Sequence, residues 1–580
     1  VRRASGALVA VTAGAAVLVL AGFSGSRHRV FWSPDSGLRF VQVEALIRQG
    51  YRRVSIPYPG AHLDPEARYL PFGGWFLSRR EGALYIVYPP YFPALASIPY
   101  QVLGFPGLLV LPLAGVVAVL WTTTRSVGAS GSPWTALAVL AVLSTPLAVY
   151  GLLFWDHAPA VGLSAGAVAL LQPAGLEGRS ALAFLAGMLA GLGFWLRTEM
   201  YLFTLALILA TWRVLGRRVA ARLSVWALVP ALAVWALNLH LFGHPLGLKG
   251  EAAVGARLSE AHSALRTVTS WTRRRILAAY DLLISTEQPQ DGEQPARVPA
   301  SLAVSGTVAA GGALLVWGVR TQDPTRVLAG AVVAVFGPLW AAVTGQHLMG
   351  LLPTTPLLAA LPLAVRSPLP EVRLPLLVGA LYTAAVLATA SVGGLQWGPR
   401  YLLPAVPLFA WAVFPALAHS ARTWPSGGRV LRWAVAILVA GGLGVQTAGF
   451  VAIRSNVAAL AALSEEVERR SAPVLVSGAE PVLRAVAHLY FRRVLLRVDG
   501  PEALREVVRK LAQARVREWT YIPFTGARFD RTQIERWSEE GDWRFRVVRD
   551  EILPMAFVAE ARDYRAVTSV RLITYRRRSR

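Results

Sequence analysis

Four short stretches of this chain set ionisable side chains beside long apolar runs. A charge at the centre of a lipid-exposed helix costs about 2.5–3.5 kcal/mol, so charges next to such runs tend to face cavities or mark function. The first stretch is Ser33-Pro34-Asp35-Ser36-Gly37. Ser33 suits a helix N-cap and Pro34 the first helical position. Asp35 then falls in the first turn, where the helix dipole favours its ionised form. Such a carboxylate can act as a base or a cation ligand. The same residue also reads as a plain stabiliser of a helix start.

The second stretch is Phe154-Trp155-Asp156-His157. A carboxylate beside an imidazole is a base pair or ligand set, or an interfacial loop anchored by its Trp. The third is Trp195-Leu196-Arg197-Thr198-Glu199. Arg197 and Glu199 can pair with each other or with Asp156, for structural or functional reasons. The fourth is Gln396-Trp397-Gly398-Pro399-Arg400-Tyr401-Leu402-Leu403-Pro404. The Arg400 guanidinium suits bidentate phosphate binding, and also suits a snorkelling interfacial position. His347, between two apolar runs, is a further candidate. Two carboxylates and an Arg at the edges of membrane spans fit a lipid-phosphate substrate. The carboxylate takes a proton from an acceptor hydroxyl, and the Arg holds the departing phosphate.

The elements that must position these residues are membrane helices. The 580-residue chain is 54% hydrophobic and only 16% charged. Apolar runs near the twenty-residue span length fall at 4–23, 105–124, 134–154, 158–176, 180–196, 200–216, 223–242, 301–319, 327–346, 348–365, 374–392, 401–419 and 431–450, about thirteen in all. The 4–23 run follows Val1-Arg2-Arg3 and reads as a retained signal anchor rather than a cleaved signal peptide. With no Cys, disulfides and thiolate sites are excluded.

The net charge of +25 is almost wholly Arg, since Lys occurs only at 249 and 510. The Arg residues are spread over loops, which points to anionic lipid headgroups as partners and excludes nucleic acid. With the N-terminus in the cytoplasm, the short inside loops hold Arg125, Arg179, Arg213, Arg217, Arg218, Arg222, Arg320, Arg326, Arg366, Arg373, Arg422, Arg429 and Arg432. Their acids are Glu177, Asp323 and Glu371, a clear positive-inside bias. Segments 24–104, 243–300 and 451–580 then fall outside.

In the first of these, Tyr88-Pro89-Pro90-Tyr91-Phe92-Pro93 cannot sit inside a helix and reads as a loop leading to an interfacial helix. Trp32, Trp75, Tyr85, Tyr88, Tyr91 and Tyr100 suit the headgroup level. In the second, Trp271 to Leu277 is a basic amphipathic piece suited to a lipid surface, and 288–299 reads as a loop. The third alternates strands (474–477, 494–498, 519–523) with helices near 481–491 and 501–515, which predicts a small α/β domain with some parallel strands. Its core candidates are Val474, Leu475, Val476, Leu495, Leu496, Val498, Leu504, Val507 and Leu511. The expected division is a membrane domain over 1–450, with its outer loops, and an extracytoplasmic α/β domain over 451–580.

The ordered motifs resemble the GT-C glycosyltransferases, membrane enzymes with polyprenyl-phosphate sugar donors that include protein O-mannosyltransferases and aminoarabinose transferases. The residues that carry the resemblance are the Ser33 to Gly37 stretch after one span, the Tyr88-Pro89-Pro90 loop, Asp156 at a later span end, the Asn238 to Pro245 stretch and Arg400-Tyr401-Leu402-Leu403-Pro404. The resemblance implies a polytopic α-helical fold of about thirteen spans and transfer of a sugar to an acceptor hydroxyl on a glycan or protein, outside the cytoplasm. Asp35 would be the activating base, Asp156 a ligand or orienter, and Arg400 a contact to the lipid phosphate. Tyr401, Arg197, Glu199, His157, Tyr88 and His347 would complete the substrate site. Ser36 stands where a second acid often follows the first, and Tyr88 where a basic residue commonly precedes the Pro pair, with Arg79 or Arg80 as substitutes. A divalent metal (Mg or Mn), on Asp35 and Asp156 if any, stays open. The alternative is a transporter or flippase of a lipid-linked glycan, which would need charges near the bilayer midplane and two related halves.

Overall fold

The computed structural model describes residues 29–577 except 74–75, 129–131, 173–178, 252–263, 287–296, 390–395, 425, 479, 524–533, 535–536, 538–544 and 559–565, together with Gly14. The expected first span, the greater part of the 288–299 loop and Trp75 therefore lie outside the described residues. The chain divides into two compact units, 1–25 with 106–452 and 26–105 with 453–580.

The second unit opens with α1 (Pro34–Arg48), strands β1 (Leu77–Arg80) and β2 (Ala83–Ile86), and α2 (Tyr91–Leu103). The first unit then follows as α3 (Val110–Val127), α4 (Ser132–Leu143), α5 (Pro146–Tyr150), α6 (His157–Leu171), α7 (Arg179–Leu196), α8 (Met200–Leu215), α9 (Arg217–Phe242), α10 (Ala264–Leu283), α11 (Arg297–Thr321), α12 (Pro324–Val343), α13 (Leu351–Thr354), α14 (Leu361–Val365), α15 (Pro370–Thr389) and α16 (Ala405–Thr423). Helix α17 (Gly427–Arg469) carries the chain from one unit into the other. Six helices among the described residues are long and apolar enough to cross a membrane: α3 with its leading turn, α9, α11, α12, α15 and α17. Shorter apolar helices accompany them, and the protein is a multi-pass membrane protein.

Two expected spans are broken, and proline is the reason in both. The 348–365 run is α13, a 3-10 turn over Pro356–Ala360, and α14, because Pro353, Pro356 and Pro362 lack the N–H that a continuous helix needs. The 134–154 run stops at Leu143 and restarts at Pro146. Thr145, before that proline, is extended at φ −112° and ψ 164°. The basic piece at 271–277 lies within α10, with Trp271, Ile276 and Leu277 exposed.

In the second unit, α1 starts as its sequence predicts: Ser33 is extended and its Oγ accepts from the Asp35 amide. After the proline pair, α2 buries Phe92 and Ala96 and turns Leu95, Ile98 and Val102 outward, an apolar face suited to lipid. The C-terminal part is a five-stranded sheet in the order β4-β3-β5-β7-β6, made of β3 (Val474–Ser477), β4 (Val494–Arg497), β5 (Glu518–Ile522), β6 (Phe545–Val558) and β7 (Ala566–Arg577). Strand β3 pairs in parallel with β4 and β5, while β7 runs antiparallel to β5 and β6.

Helices α18 (Glu480–Ala485) and α19 (Pro501–Gln513) are the crossovers, the first shorter than the expected 481–491 and followed by a 3-10 turn at Ala487–Leu489. All nine core candidates are buried. Leu38, Val41, Ile56 and Ile86 pack in one core with Leu463, Leu475, Leu483 and Leu572, so the 26–105 segment completes the hydrophobic interior of the sheet domain.

Candidate functional site

The first unit gathers the Asp156, Arg197 and Arg400 stretches around one buried guanidinium. Arg197 follows α7 and Glu199 caps α8, so the short turn between the two helices places both side chains together. Arg197 is 7% exposed. Its Nη1 donates to Asp156 Oδ1 at 2.5 Å and to His157 Nδ1 at 3.2 Å, and its Nε donates to Glu199 Oε1 at 2.5 Å. A guanidinium only donates, so His157 accepts at Nδ1 and carries its proton on Nε2. Burial alone disfavours charge on Arg197. Glu199 and Asp156 outweigh it and hold the guanidinium above its ordinary range. Burial likewise opposes the Glu199 charge, but Arg197 and then Lys249 keep that carboxyl below its ordinary value.

Tyr150, Trp155 and His157 pack as a ring cluster, with centroids 5.0–5.2 Å apart. Arg400 lies 5.6 Å over Trp155 and 5.1 Å over Tyr401, and its Nη2 donates to Tyr401 Oη at 3.4 Å. Arg197 lies 5.9 Å from the same Tyr401 ring. The loop that carries Arg400 is held from three sides. Gly398 takes φ +70°, a turn conformation that suits glycine, and donates its N–H to the Leu348 carbonyl at 2.9 Å. Tyr382 Oη donates to the Tyr401 carbonyl at 2.6 Å. His347 Nε2 donates to the Gln396 carbonyl. Burial pushes the His347 imidazole down to about 4, with the Gln396 carbonyl opposing, so it is neutral at pH 7. His347 thus braces the Arg400 loop through Gln396 and the edge of Trp397.

Lys249 was not singled out by its surroundings in sequence, yet its charge acts on both Glu199 and Tyr401. The turn before it is shaped by Asn238, whose Nδ2 donates to the Pro245 carbonyl at 2.9 Å. The signal that could have found it was rarity, since the chain has only one other Lys.

The second unit holds Asp35. Its carboxylate is half-buried in the first turn of α1, and Tyr88 Oη donates to its Oδ1 at 2.6 Å. The Tyr88 carbonyl accepts from Gln42 Nε2 at 2.9 Å, which ties the Pro-Pro loop to α1. The buried Arg39 guanidinium lies 4.4 Å over the Tyr88 ring, so α1 itself supplies a basic group to that loop. Arg79, offered as a substitute base, donates instead to the Glu66 carbonyl at 2.9 Å.

Among the described residues no three His, Asp or Glu side chains come together as a metal cage. Asp35 Oδ1 accepts from the Tyr88 hydroxyl, and Asp156 Oδ1 from the Arg197 guanidinium.

No family model and no curated protein matches this chain. It is similar to solved structures. ArnT from Cupriavidus metallidurans, bound to undecaprenyl phosphate, is 11% identical over 97% of each chain with a TM-score of 0.49. The Archaeoglobus fulgidus oligosaccharyltransferase, tethered to an acceptor peptide, is 11% identical over 88% of this chain and 68% of that one, at 0.42. The oligosaccharyltransferase AglB from Archaeoglobus fulgidus, with an inhibitory peptide and a dolichol-phosphate, is 13% identical over 88% and 69%, at 0.41.

Proposed function

We propose that this protein is a membrane glycosyltransferase, moving a sugar from a polyprenyl-phosphate donor to an acceptor hydroxyl on the extracytoplasmic side. The acceptor is a lipid-linked glycan, a cell-surface polysaccharide or a protein. The observation that carries the reading is the Asp35 carboxylate, held at a helix N-terminus by a neutral Tyr88 hydroxyl. That setting favours the ionised form a base needs.

Asp35 takes the proton of the acceptor hydroxyl. The acceptor oxygen forms its bond to the anomeric carbon as the bond to the phosphate oxygen breaks. The phosphate leaves with the electron pair, and a single displacement inverts the anomeric centre. Arg400 and Lys249 hold the leaving phosphate, since preorganised cations act most where charge develops. Tyr401 and the Trp155 ring orient the Arg400 guanidinium. Asp156, Glu199 and His157 fix Arg197 and the loop ends around it. The N-terminus is cytoplasmic and the sheet domain outside, in the plasma (inner) membrane.

The test uses the full-length protein in lipid nanodiscs, supplied with polyprenyl-phosphate sugars and, as acceptors, the lipid-linked glycan, polysaccharide and protein fractions of its own membranes. Wild type is expected to release free polyprenyl phosphate, and Asp35→Asn to release about 10²–10⁴-fold less while keeping its thermal transition. Equal release by both removes Asp35 as base. No release by wild type with any donor removes the transfer reaction.

A further inference from the structure

A cavity of about 490 Å³ runs along α11 in the first unit and meets none of the groups assigned to the proposed reaction. Val308, Gly312 and Val316 repeat every four residues and form its buried inner wall. Ala309, Ala313 and Trp317 repeat in the same way one position on and form its exposed lip. Leu358, Ala359 and Pro362 close the far side. Gly312 sets the depth, because a Cβ there would come within 2.7 Å of the Ala359 carbonyl oxygen. The walls are apolar along their length.

The mouth is of another kind. Arg320 and Arg366 line it, both exposed. Among the described residues no carboxylate pairs with either. Asp323, in the following turn, is held by Arg326 at 3.1 Å, and Arg326 in turn lies 3.8 Å over the Trp317 ring. From Ala309 to Arg320 the helix rises about 17 Å, close to half of a hydrocarbon core of about 30 Å. The groove is therefore one leaflet deep, apolar inside and doubly cationic at the headgroup level.

We propose that this groove is a binding site for an acidic diacyl phospholipid from the leaflet that faces the cytoplasm. One acyl chain lies against Val308, Gly312 and Val316, and the headgroup phosphate sits between Arg320 and Arg366. Both arginines belong to the loops that the positive-inside bias assigns to that side. The depth selects the occupant: a polyprenyl carrier is several times longer than one leaflet is deep. Neither the sugar-transfer reading nor the assignment of Asp35 enters this proposal.

The experiment uses delipidated full-length protein in zwitterionic micelles, titrated separately with phosphatidylglycerol and phosphatidylcholine of the same acyl chains, with bound lipid counted by native mass spectrometry. Wild type is expected to bind one phosphatidylglycerol on the order of tenfold more tightly than phosphatidylcholine, from two arginines near a phosphate. The Arg320→Gln/Arg366→Gln double variant should lose that preference. Ala309→Phe keeps both charges and fills the lip, so it should weaken the bound phosphatidylglycerol, and it stands as the test if the double variant does not fold. Equal wild-type binding of the two lipids, an unchanged preference in the double variant, unchanged binding in Ala309→Phe, or displacement of phosphatidylglycerol by an equimolar polyprenyl phosphate would each overturn the proposal.

Discussion

Two acids of this chain show how differently a protein can hold a carboxylate. Asp156 is 2% exposed and meets the Arg197 guanidinium at 2.5 Å, with His157 and Glu199 on the same cation. Asp35, in the other unit, is half-buried, begins a helix and accepts from a neutral tyrosine. A buried carboxylate on a buried guanidinium is locked: giving up its charge would strand the partner. A carboxylate that accepts from a neutral hydroxyl in the first turn of a helix is favoured in its ionised form. Asp156 is accordingly a positioning group in the proposed reaction, and Asp35 its base. A third acid marks the opposite extreme. Asp281 on α10 is 1% exposed, and neither of its oxygens has a hydrogen-bond partner among the described residues.

The contrast can be broken most directly at Asp35. Asp35→Asn should lower sugar transfer by about 10²–10⁴-fold, the range for loss of a general base. Asp156→Asn should act as much on stability as on turnover. If release of polyprenyl phosphate falls as far in Asp156→Asn as in Asp35→Asn, with thermal stability unchanged, the roles are reversed.

Arg197→Ala should destabilise the first unit by roughly 3–5 kcal/mol, because the buried Asp156 carboxylate and the partly buried Glu199 carboxylate lose their counter-charge. Arg197→Lys should recover part of this, read as the midpoint of thermal unfolding. Glu199 adds a pH signature. Its carboxyl is held below the ordinary 4.5, so the stability it contributes is present above that value and lost as pH falls through the lower folded value. In Arg197→Ala that acid-side loss should shrink to the part that Lys249 still sustains.

Asp281 sharpens the comparison from the other side. Burial raises its carboxyl from 3.8 to about 7. A raised acid favours the folded state at low pH, and that advantage is lost as pH rises from about 4 through about 7. Asp281→Asn should therefore stabilise the protein at pH 8 by on the order of 2–4 kcal/mol and change little near pH 4. An equal effect at both pH values would show that the carboxyl ionises on the folded protein as it does in water. The smallest effect belongs to Tyr88→Phe. Removing one hydrogen bond to a charged group is worth about 1.5–3 kcal/mol, so kcat/KM should fall by one to two orders of magnitude, with a smaller loss than Asp35→Asn.

Local rules in the chain decided the helix start at Ser33-Pro34-Asp35, since a cap, a proline and a first-turn acid act within four residues. They also decided the apolar helices and the strand-helix alternation after residue 470, which depend on run length and period alone. The β6–β7 hairpin escaped notice, because its long strands mix Arg, Asp and Glu with apolar residues and lose the period-two signal. Prolines at 146, 353, 356 and 362 were visible in sequence, but hydropathy averaged over a window hides single breaks.

What sequence alone could not decide was partnership. It left Arg197 open to Glu199 or Asp156, and the fold joins it to both, with His157 as a third acceptor. The Tyr88 hydroxyl finds Asp35 across 53 positions, and the Lys249 charge reaches Glu199 and Tyr401 from a helical stretch with no motif of its own. Hydropathy and capping are sums over neighbours in the chain, so they can be read in one dimension. Ion pairs and ring contacts are set by distance in space, and helix packing alone chose which of the separated groups would meet.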